Sequence, residues 1–128
     1  MDPDFEAFFF SKVYPIAGDL LEKELGISLP DRQLLIENVD LVINCAASVD
    51  FNARLEDAAS INIFGTQKVY ELFSQMQRAV NFLHVSTAYV NSDMQGFIEE
   101  RIYEKNTDAE KIIASLVDLK EVDNFFAL

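Results

Sequence analysis

Cysteine and histidine are almost missing from this chain, which has one of each among its 128 residues. A single cysteine excludes an intrachain disulfide and a metal site built on several thiolates, and it fits a reducing compartment. No C-x-x-C or H-E-x-x-H pattern occurs, and one histidine further disfavours a zinc centre. Three prolines and four glycines leave no segment with the composition of a linker, and we find no internal repeat. The sequence therefore predicts one continuous domain over residues 1–128.

Basic residues are also scarce. Lysine and arginine number 10 against 22 aspartates and glutamates, so the net charge is −12. This sign argues against nucleic acid and anionic membrane surfaces as main partners, because both require a basic footprint. No apolar run approaches the roughly 20 residues of a membrane-spanning helix. The acidic start Met1-Asp2-Pro3-Asp4 is unlike the amino end of a secretory leader.

Two apolar runs separated by a long helical pattern form the most regular part of the sequence. Residues 40–47 (DLVINCAA) and 79–86 (AVNFLHVS) are typical of strands buried on both faces of a parallel sheet. Between them, residues 54–77 repeat small or apolar residues every three or four positions, on a face that includes Leu55. Gly65 lies on that face, where a missing side chain usually indicates close approach of another backbone. The order strand, helix, strand predicts a right-handed parallel βαβ unit.

A further strand is predicted before this unit. Residues 12–17 (KVYPIA) are β-rich and mostly apolar, and they run into a turn at Gly18. Pro15 restricts this strand to an edge or to one-sided pairing, because proline donates no backbone hydrogen bond. Residues 20–28 predict irregular structure or a single helical turn, closed by Gly26.

Two further helices are predicted on either side of the unit. Residues 30–37 form the first, with Ser28 as its N-cap and a proline at its opening position. Residues 89–105 are polar and predict a loop. Residues 108–118 then predict an amphipathic helix that begins at the cap Asp108.

Four sequence blocks in register point to a family. They are KVYPIAGDL (12–20), NCAASVDF (44–51), INIFGT (61–66) and HVSTAYVN (84–91). With IEERIYE (98–104) and AEKIIASLVDL (109–119), they resemble the fatty acyl-CoA reductases and their male-sterility-type NAD(P)-binding domain, in the extended branch of the short-chain dehydrogenase/reductase superfamily. The resemblance implies an α/β fold, a partial Rossmann-like doubly wound parallel sheet that contains the third to fifth strands and their connecting helices.

The resemblance also implies a groove for NADPH. In this superfamily an aspartate after the third strand lies beside the adenine, a role that falls on Asp19 with Leu20. The end of the fourth strand passes along the dinucleotide, and the matching residues are Cys45, Ala46, Ala47 and Val49. The asparagine of the N-x-x-G-T pattern is Asn62, placed to hydrogen-bond a backbone or phosphate group. Thr87, with Ser86 beside it, would hydrogen-bond the substrate carbonyl oxygen.

Each position also has a purely structural interpretation. Asp19 could simply shape the turn after Gly18. Residues 46–47 could be small core residues, and Asn62 could cap a neighbouring loop backbone, a role compatible with the first. Residues 86–88 could be a strand-end turn with satisfied hydroxyls.

Two further residues are interpreted structurally. We expect Cys45 to be a small buried hydrophobe rather than a nucleophile. His84 lies inside the second apolar run, where a hydrogen-bonded core residue is expected rather than a catalyst. The acids between positions 99 and 110 predict a solvated face rather than an acid/base pair.

Two motifs of the family are missing from this sequence. Its glycines are Gly18, Gly26, Gly65 and Gly96, too far apart for the G-x-x-G-x-x-G turn that holds a pyrophosphate. No tyrosine is followed four residues later by lysine, so the Tyr-x-x-x-Lys that supplies the family's general acid is missing too. The first two strands of the family sheet are also without a counterpart. We therefore expect a single incomplete domain that is inactive alone.

Three functional hypotheses follow. The first is part of an NADPH-dependent enzyme that reduces long-chain acyl-CoA to a primary fatty alcohol; the resemblance implies an intracellular protein associated with peroxisomal or endoplasmic reticulum membranes. The alternative is a catalytically dead Rossmann-like binding or scaffold subunit, whose apolar ends (residues 8–10 and 125–126) a protein partner covers. The third is another extended reductase, such as an epimerase or a thioester-reductase domain, which the four blocks fit less well.

Overall fold

A strand–helix–strand unit forms the centre of the fold, as the sequence predicts. The computed structural model describes residues 3–104, 108 and 111–116. In chain order the elements are helix α1 (Pro3–Lys12), helix α2 (Leu29–Asn38), strand β1 (Leu41–Asn44), helix α3 (Leu55–Ala59), helix α4 (Thr66–Phe73) and strand β2 (Asn81–His84). A 3₁₀ turn covers Lys23–Gly26, and a π-helical segment covers Ser60–Gly65.

The two strands pair in parallel, which confirms the predicted βαβ unit. Their register runs from Leu41 opposite Asn81 to Asn44 opposite His84. Both strands are shorter than the apolar runs that predict them, because each has only the other as a neighbour in the described part of the chain. Just before the strands, Arg78 forms an ion pair with Asp40 at 2.9 Å and fixes where the pairing begins.

The predicted helix over residues 54–77 is observed as α3, the π-helical segment and α4 in direct succession. A π-helical turn takes one more residue than an α-helical turn, so it rotates the residues that follow it around the helix axis. The buried positions are Ala59, Ser60, Gly65 and Leu72. Leu55, at the start of the predicted face of small and apolar residues, is 63% exposed.

An aromatic cluster packs α4 against the sheet. The ring centres of Tyr70 and Phe82 lie 5.4 Å apart, and those of Phe73 and Phe82 lie 5.3 Å apart. Tyr70 and Phe73 also contact each other at 5.7 Å. Such contacts add to the hydrophobic free energy of burial, so this cluster holds the helix on the sheet face that bears Phe82.

The outer helices agree with their sequence signals. The Ser28 hydroxyl accepts the Asp31 amide at 3.3 Å, so Ser28 is the N-cap of α2 as predicted. Residues 111–116 are helical, and the Asp108 carboxylate accepts the Lys111 amide at 3.2 Å. The remaining predicted residues of that helix and the apolar pair 125–126 lie outside the described residues.

The predicted strand over residues 12–17 is wrong. Lys12 ends α1, and residues 13–19 run without sheet pairing. A strand at this place needs neighbours on the sheet, and the described residues contain no strand beside β1 other than β2. Pro15 removes one donor from any ladder as well. The fold is therefore a mixed helix and strand structure with a two-stranded parallel sheet, compatible with a partial Rossmann-like domain.

The helices of the described segments are short. None of them is long and apolar enough to cross a bilayer.

Candidate nucleotide-binding site

The carboxyl ends of the two strands bring two predicted site segments together. Because β1 and β2 are parallel and in register, the chain leaves both strands at the same edge of the sheet. The Val85 amide donates to the Asn44 carbonyl at 2.9 Å and continues the pairing by one step. Beyond it, the rings of Phe51 and Tyr89 meet at 6.4 Å. Ligands of open parallel sheets bind at this edge.

Asn62 fastens the loop that follows β1. Its Oδ1 accepts the Ser48 amide at 2.8 Å, and its Nδ2 donates to the Ser48 carbonyl at 3.2 Å. Both backbone groups of Ser48 are thus satisfied by one side chain, which confirms the interpretation of Asn62 as a cap for a neighbouring loop. Asn62 projects from the π-helical segment, a feature often found at functional sites.

The residues of this loop are open to solvent. Cys45, Ala46, Ala47 and Val49 are all exposed. The interpretation of Cys45 as a buried hydrophobe is therefore wrong, and so is that of residues 46–47 as core, because nothing in the described part of the chain covers the loop after β1. Small exposed side chains here leave room for a ligand along the backbone.

Asp19 lies in a tight turn. Its Oδ1 accepts the Leu21 amide at 2.8 Å, and its own amide donates to the Leu25 carbonyl at 2.8 Å. The turn interpretation of Asp19 is therefore confirmed. The carboxylate is exposed, and its Oδ2 accepts no hydrogen bond from the part of the chain that the structure describes. A free carboxylate oxygen can accept an exocyclic amino group of a ligand.

The helical stretch from Ser60 to Phe73 holds both the Asp19 turn and the loop that contains Ser48. An ideal Cβ at Gly65 would lie 3.0 Å from the Leu20 Cβ, so the absence of a side chain lets the Asp19 turn approach the helix. The prediction of close approach at Gly65 holds, although the neighbouring atoms belong to a side chain rather than to backbone. Lys68 Nζ donates to the carbonyls of Leu20 and Leu21 at 2.8 and 2.9 Å. Asn62, Gly65 and Lys68 thus fix two loops on successive helical turns.

A buried amide links the sheet to this helix. Asn44 is 4% exposed, and its Nδ2 lies 3.3 Å from Thr66 Oγ1 and 3.2 Å from His84 Nδ1. Thr66 in turn donates to the Asn62 carbonyl at 2.9 Å. Since Asn44 donates, His84 Nδ1 accepts, and the imidazole is held in place. His84 is hydrogen-bonded as predicted, but it is exposed rather than part of the core.

The residues after β2 form a turn. Thr87 Oγ1 accepts the Tyr89 amide at 3.2 Å, and the Thr87 carbonyl accepts the Val90 amide at 3.3 Å. Ser86 and Thr87 are both exposed. The turn is confirmed, and the Thr87 hydroxyl is hydrogen-bonded as that interpretation requires.

Another concave surface lies between α4 and β2. It is a groove of about 560 Å³ lined by Thr66, Gln67, Tyr70, Glu71, Phe82 and His84. None of the residues predicted for the site lines it. The described residues hold no group of three or more side chains suited to a metal ion.

The helical stretch from Ser60 to Phe73 holds two segments that carry predicted site residues. Asp19 Oδ2 is an exposed acceptor on the first, and on the second Asn62 fixes the backbone of Ser48, directly after the small exposed residues 46–47. The sequence holds neither the glycine-rich turn for a pyrophosphate nor the Tyr-x-x-x-Lys pair. Lys68 and Asn44 also position these segments, and neither was predicted from the sequence. The sequence feature that could have indicated Lys68 is a basic residue three positions after Gly65.

Comparison with known proteins identifies the family. The model of the male sterility protein family, an NAD-binding domain, matches residues 2–124. The chain therefore belongs to this family.

Named relatives agree with that assignment. A putative fatty acyl-CoA reductase of Drosophila melanogaster is 45% identical over 103 residues, which cover 80% of this chain and 20% of the relative. Fatty acyl-CoA reductase 1 of Xenopus laevis is 40% identical over 82% of this chain and 20% of its own length. The Gallus gallus protein of the same name is 37% identical over 89% and 21%. The chain thus spans about one fifth of these relatives.

Proposed function

We propose that this chain is the adenine side of the cofactor domain of an alcohol-forming fatty acyl-CoA reductase. The complete protein uses NADPH to reduce a long-chain acyl-CoA to a primary alcohol. Family membership and the names of the relatives support the reductase class. The observation that carries the proposal is the single helix that fixes both the Asp19 turn and the Ser48 loop.

The proposed roles follow from the exposed groups. Asp19 accepts the adenine amino group through Oδ2 while Oδ1 maintains the turn, and Leu20 lies beneath the base. The loop residues Cys45, Ala46, Ala47 and Val49 leave room for the dinucleotide. Asn62 positions this loop through both backbone groups of Ser48. Bound NADPH supplies the hydride for the reduction.

We assign two hydroxyls to the substrate carbonyl, those of Thr87 and Ser86, as the family resemblance implies. Thr87 Oγ1 accepts the Tyr89 amide, which leaves its own proton for a carbonyl oxygen. Ser86 precedes it at the same edge of the sheet. The aliphatic hydroxyl of a serine or threonine has too high a pKa to act as the general acid at neutral pH. We therefore expect the 128-residue chain to bind cofactor without turning over acyl-CoA; alcohol formation by the purified chain contradicts this.

A titration with Asp19→Asn tests the adenine contact. The asparagine keeps an oxygen for the Leu21 amide. It replaces Oδ2 by an NH₂ group, which donates instead of accepting, and it removes the negative charge. We expect the dissociation constant for NADPH, followed by cofactor fluorescence, to rise about tenfold, in line with the loss of a hydrogen bond to a charged group. The constant for reduced nicotinamide mononucleotide, which has no adenosine, should not change.

Glu22→Gln is the matched control for this titration. It removes the same charge from the same exposed turn, and its carboxylate has no role in the proposal. Equal weakening by Glu22→Gln and Asp19→Asn would assign the effect to net charge alone. Unchanged NADPH affinity in Asp19→Asn contradicts the adenine role.

A second candidate is a binding or scaffold subunit without catalysis. Large apolar side chains at the surface favour it, among them Phe51 at 87% and Phe97 at 89% exposed. Exposed apolar surface of this kind marks interaction sites. This candidate predicts a stoichiometric protein partner in a purified complex and no NADPH binding by the folded chain, whereas saturable NADPH binding supports the reductase.

A further inference from the structure

Lys68 has an unusual environment for a lysine. Its side chain is half-buried, and its ammonium donates to two consecutive carbonyls, those of Leu20 at 2.8 Å and Leu21 at 2.9 Å. Among the ion pairs of the described segments, none involves Lys68. An ammonium withdrawn from water needs hydrogen-bond acceptors in its place. Here the acceptors are backbone carbonyls of the turn that carries Asp19.

The turn that Lys68 bonds is joined to a segment with strained backbone. Glu24 and Leu25 have φ values of 51° and 64°, in the left-handed region that residues with side chains rarely occupy. The Leu25 carbonyl accepts the Asp19 amide at 2.8 Å, so the strained segment is bonded directly to the turn. Such conformations persist only where the surroundings hold them. Lys68 bonds the Leu20 and Leu21 carbonyls of the turn to which this segment is joined.

The geometry fixes the direction of the Asp19 carboxylate. Leu21 has its carbonyl bonded to Lys68 and its amide bonded to Asp19 Oδ1. Movement of this residue would therefore carry Asp19 Oδ1 with it. Oδ2 keeps its exposed position only while the turn is held against the helix, where Gly65 leaves room for Leu20.

We propose that Lys68 is a positioning residue for adenine recognition. It acts through the Leu20 and Leu21 carbonyls and makes no contact with the nucleotide. This inference rests on the proposed binding of NADPH and adds to it the residue that orients its aspartate.

The test compares Lys68→Met with Lys68→Arg in the 128-residue chain. Methionine keeps the length of the side chain but donates no hydrogen bond, whereas arginine keeps donors and charge. We expect Lys68→Met to raise the dissociation constant for NADPH about tenfold and to leave that for reduced nicotinamide mononucleotide unchanged. Lys68→Arg should restore most of the NADPH affinity. Lys12→Met, an equal loss of charge at an exposed position, is the control and should bind as the unsubstituted chain does.

Two further measurements separate positioning from a general loss of structure. Amide hydrogen exchange at Leu21 should quicken in Lys68→Met, while exchange at Val85, which reports sheet pairing, should stay the same. In an Asp19→Asn background, Lys68→Met should weaken NADPH binding no further, because both changes remove the same contact.

The outcomes distinguish this inference from the proposed function. Failure of the unsubstituted chain to bind NADPH overturns both the proposed function and the role of Lys68 in it. Binding by the unsubstituted chain with unchanged NADPH affinity in Lys68→Met overturns the positioning role alone. Equal weakening for NADPH and the mononucleotide also overturns it, since the effect would not depend on adenine.

Discussion

Replacement of Asn62 by alanine is expected to release the loop after β1 and to weaken NADPH binding about tenfold or more. The change removes both hydrogen bonds to Ser48, at 2.8 and 3.2 Å, and leaves its amide without an acceptor. Both bonds are exposed, so water can replace them, and each contributes about 0.5–1.5 kcal/mol net. Exchange of the Ser48 amide should therefore quicken by about tenfold or more, and the dissociation constant for NADPH should rise at least as much.

Two variants control this experiment. Asn62→Asp keeps the acceptor for the Ser48 amide but sets a charged carboxylate oxygen against the Ser48 carbonyl in place of the donor, so exchange of the Ser48 amide should lie between that of the alanine variant and that of the unsubstituted chain. Asn38→Ala removes an exposed side-chain amide that donates to the Leu34 carbonyl within α2, far along the chain from Asn62. It should leave the Ser48 amide unchanged. Slow exchange at Ser48 in Asn62→Ala would show that the loop is held by something other than Asn62.

Replacement of Gly65 by leucine should displace the Asp19 turn. A Cβ at this position already lies 3.0 Å from the Leu20 Cβ and 3.4 Å from its Cδ1, so the larger side chain has no space. Overpacking of this kind costs about 1–3 kcal/mol. Helix propensity acts in the opposite direction, favouring leucine over glycine by about 0.8 kcal/mol. We expect packing to prevail, with a lower midpoint in thermal unfolding and about tenfold weaker NADPH binding.

A compensating change tests the cause of this loss. Leu20→Ala in the Gly65→Leu background removes the side chain that leucine meets, so it should recover part of the NADPH affinity that Gly65→Leu loses. A higher unfolding midpoint in Gly65→Leu, with NADPH affinity unchanged, would mean that propensity dominates and that Leu20 yields without cost.

The order of the central elements could be predicted from the sequence because their signals are local. The apolar runs 40–47 and 79–86 predict strands, and the repeat over 54–77 predicts the helix between them. The first and last residues of these elements depend on contacts with partners far along the chain. A local sequence pattern carries no information about those partners. For the same reason the β-rich residues 12–17 do not form a strand: strand formation needs a neighbour, and propensity alone does not supply it.

The helix shows a second limit of periodicity. A sequence pattern with a uniform repeat predicts a uniform α-helix, but Ser60–Gly65 is π-helical. Asn62 lies in this segment and bonds both backbone groups of Ser48. The departure from regular geometry thus lies where the site is built, and the pattern of apolar residues does not contain it.

The family resemblance predicts only part of the candidate site. That resemblance singles out Asp19 and Asn62, and their local contacts agree with the structural roles considered for them. It does not single out Lys68, because its acceptors are main-chain carbonyls and any sequence at Leu20 and Leu21 would provide them. Asn44 escaped notice for another reason: inside an apolar run, one buried polar residue predicts a hydrogen-bond partner but not which one.

The most direct test of the account is a map of NADPH binding on the backbone. Amide chemical shifts of the isotope-labelled chain would be followed during titration with NADPH. We predict saturable shifts at residues 19–21, at 46–49 and at Asn62, the segments that one helix holds together. Shifts confined to the groove between α4 and β2, at Tyr70 and Phe82 for example, or no shifts in a folded chain, would contradict the proposed site.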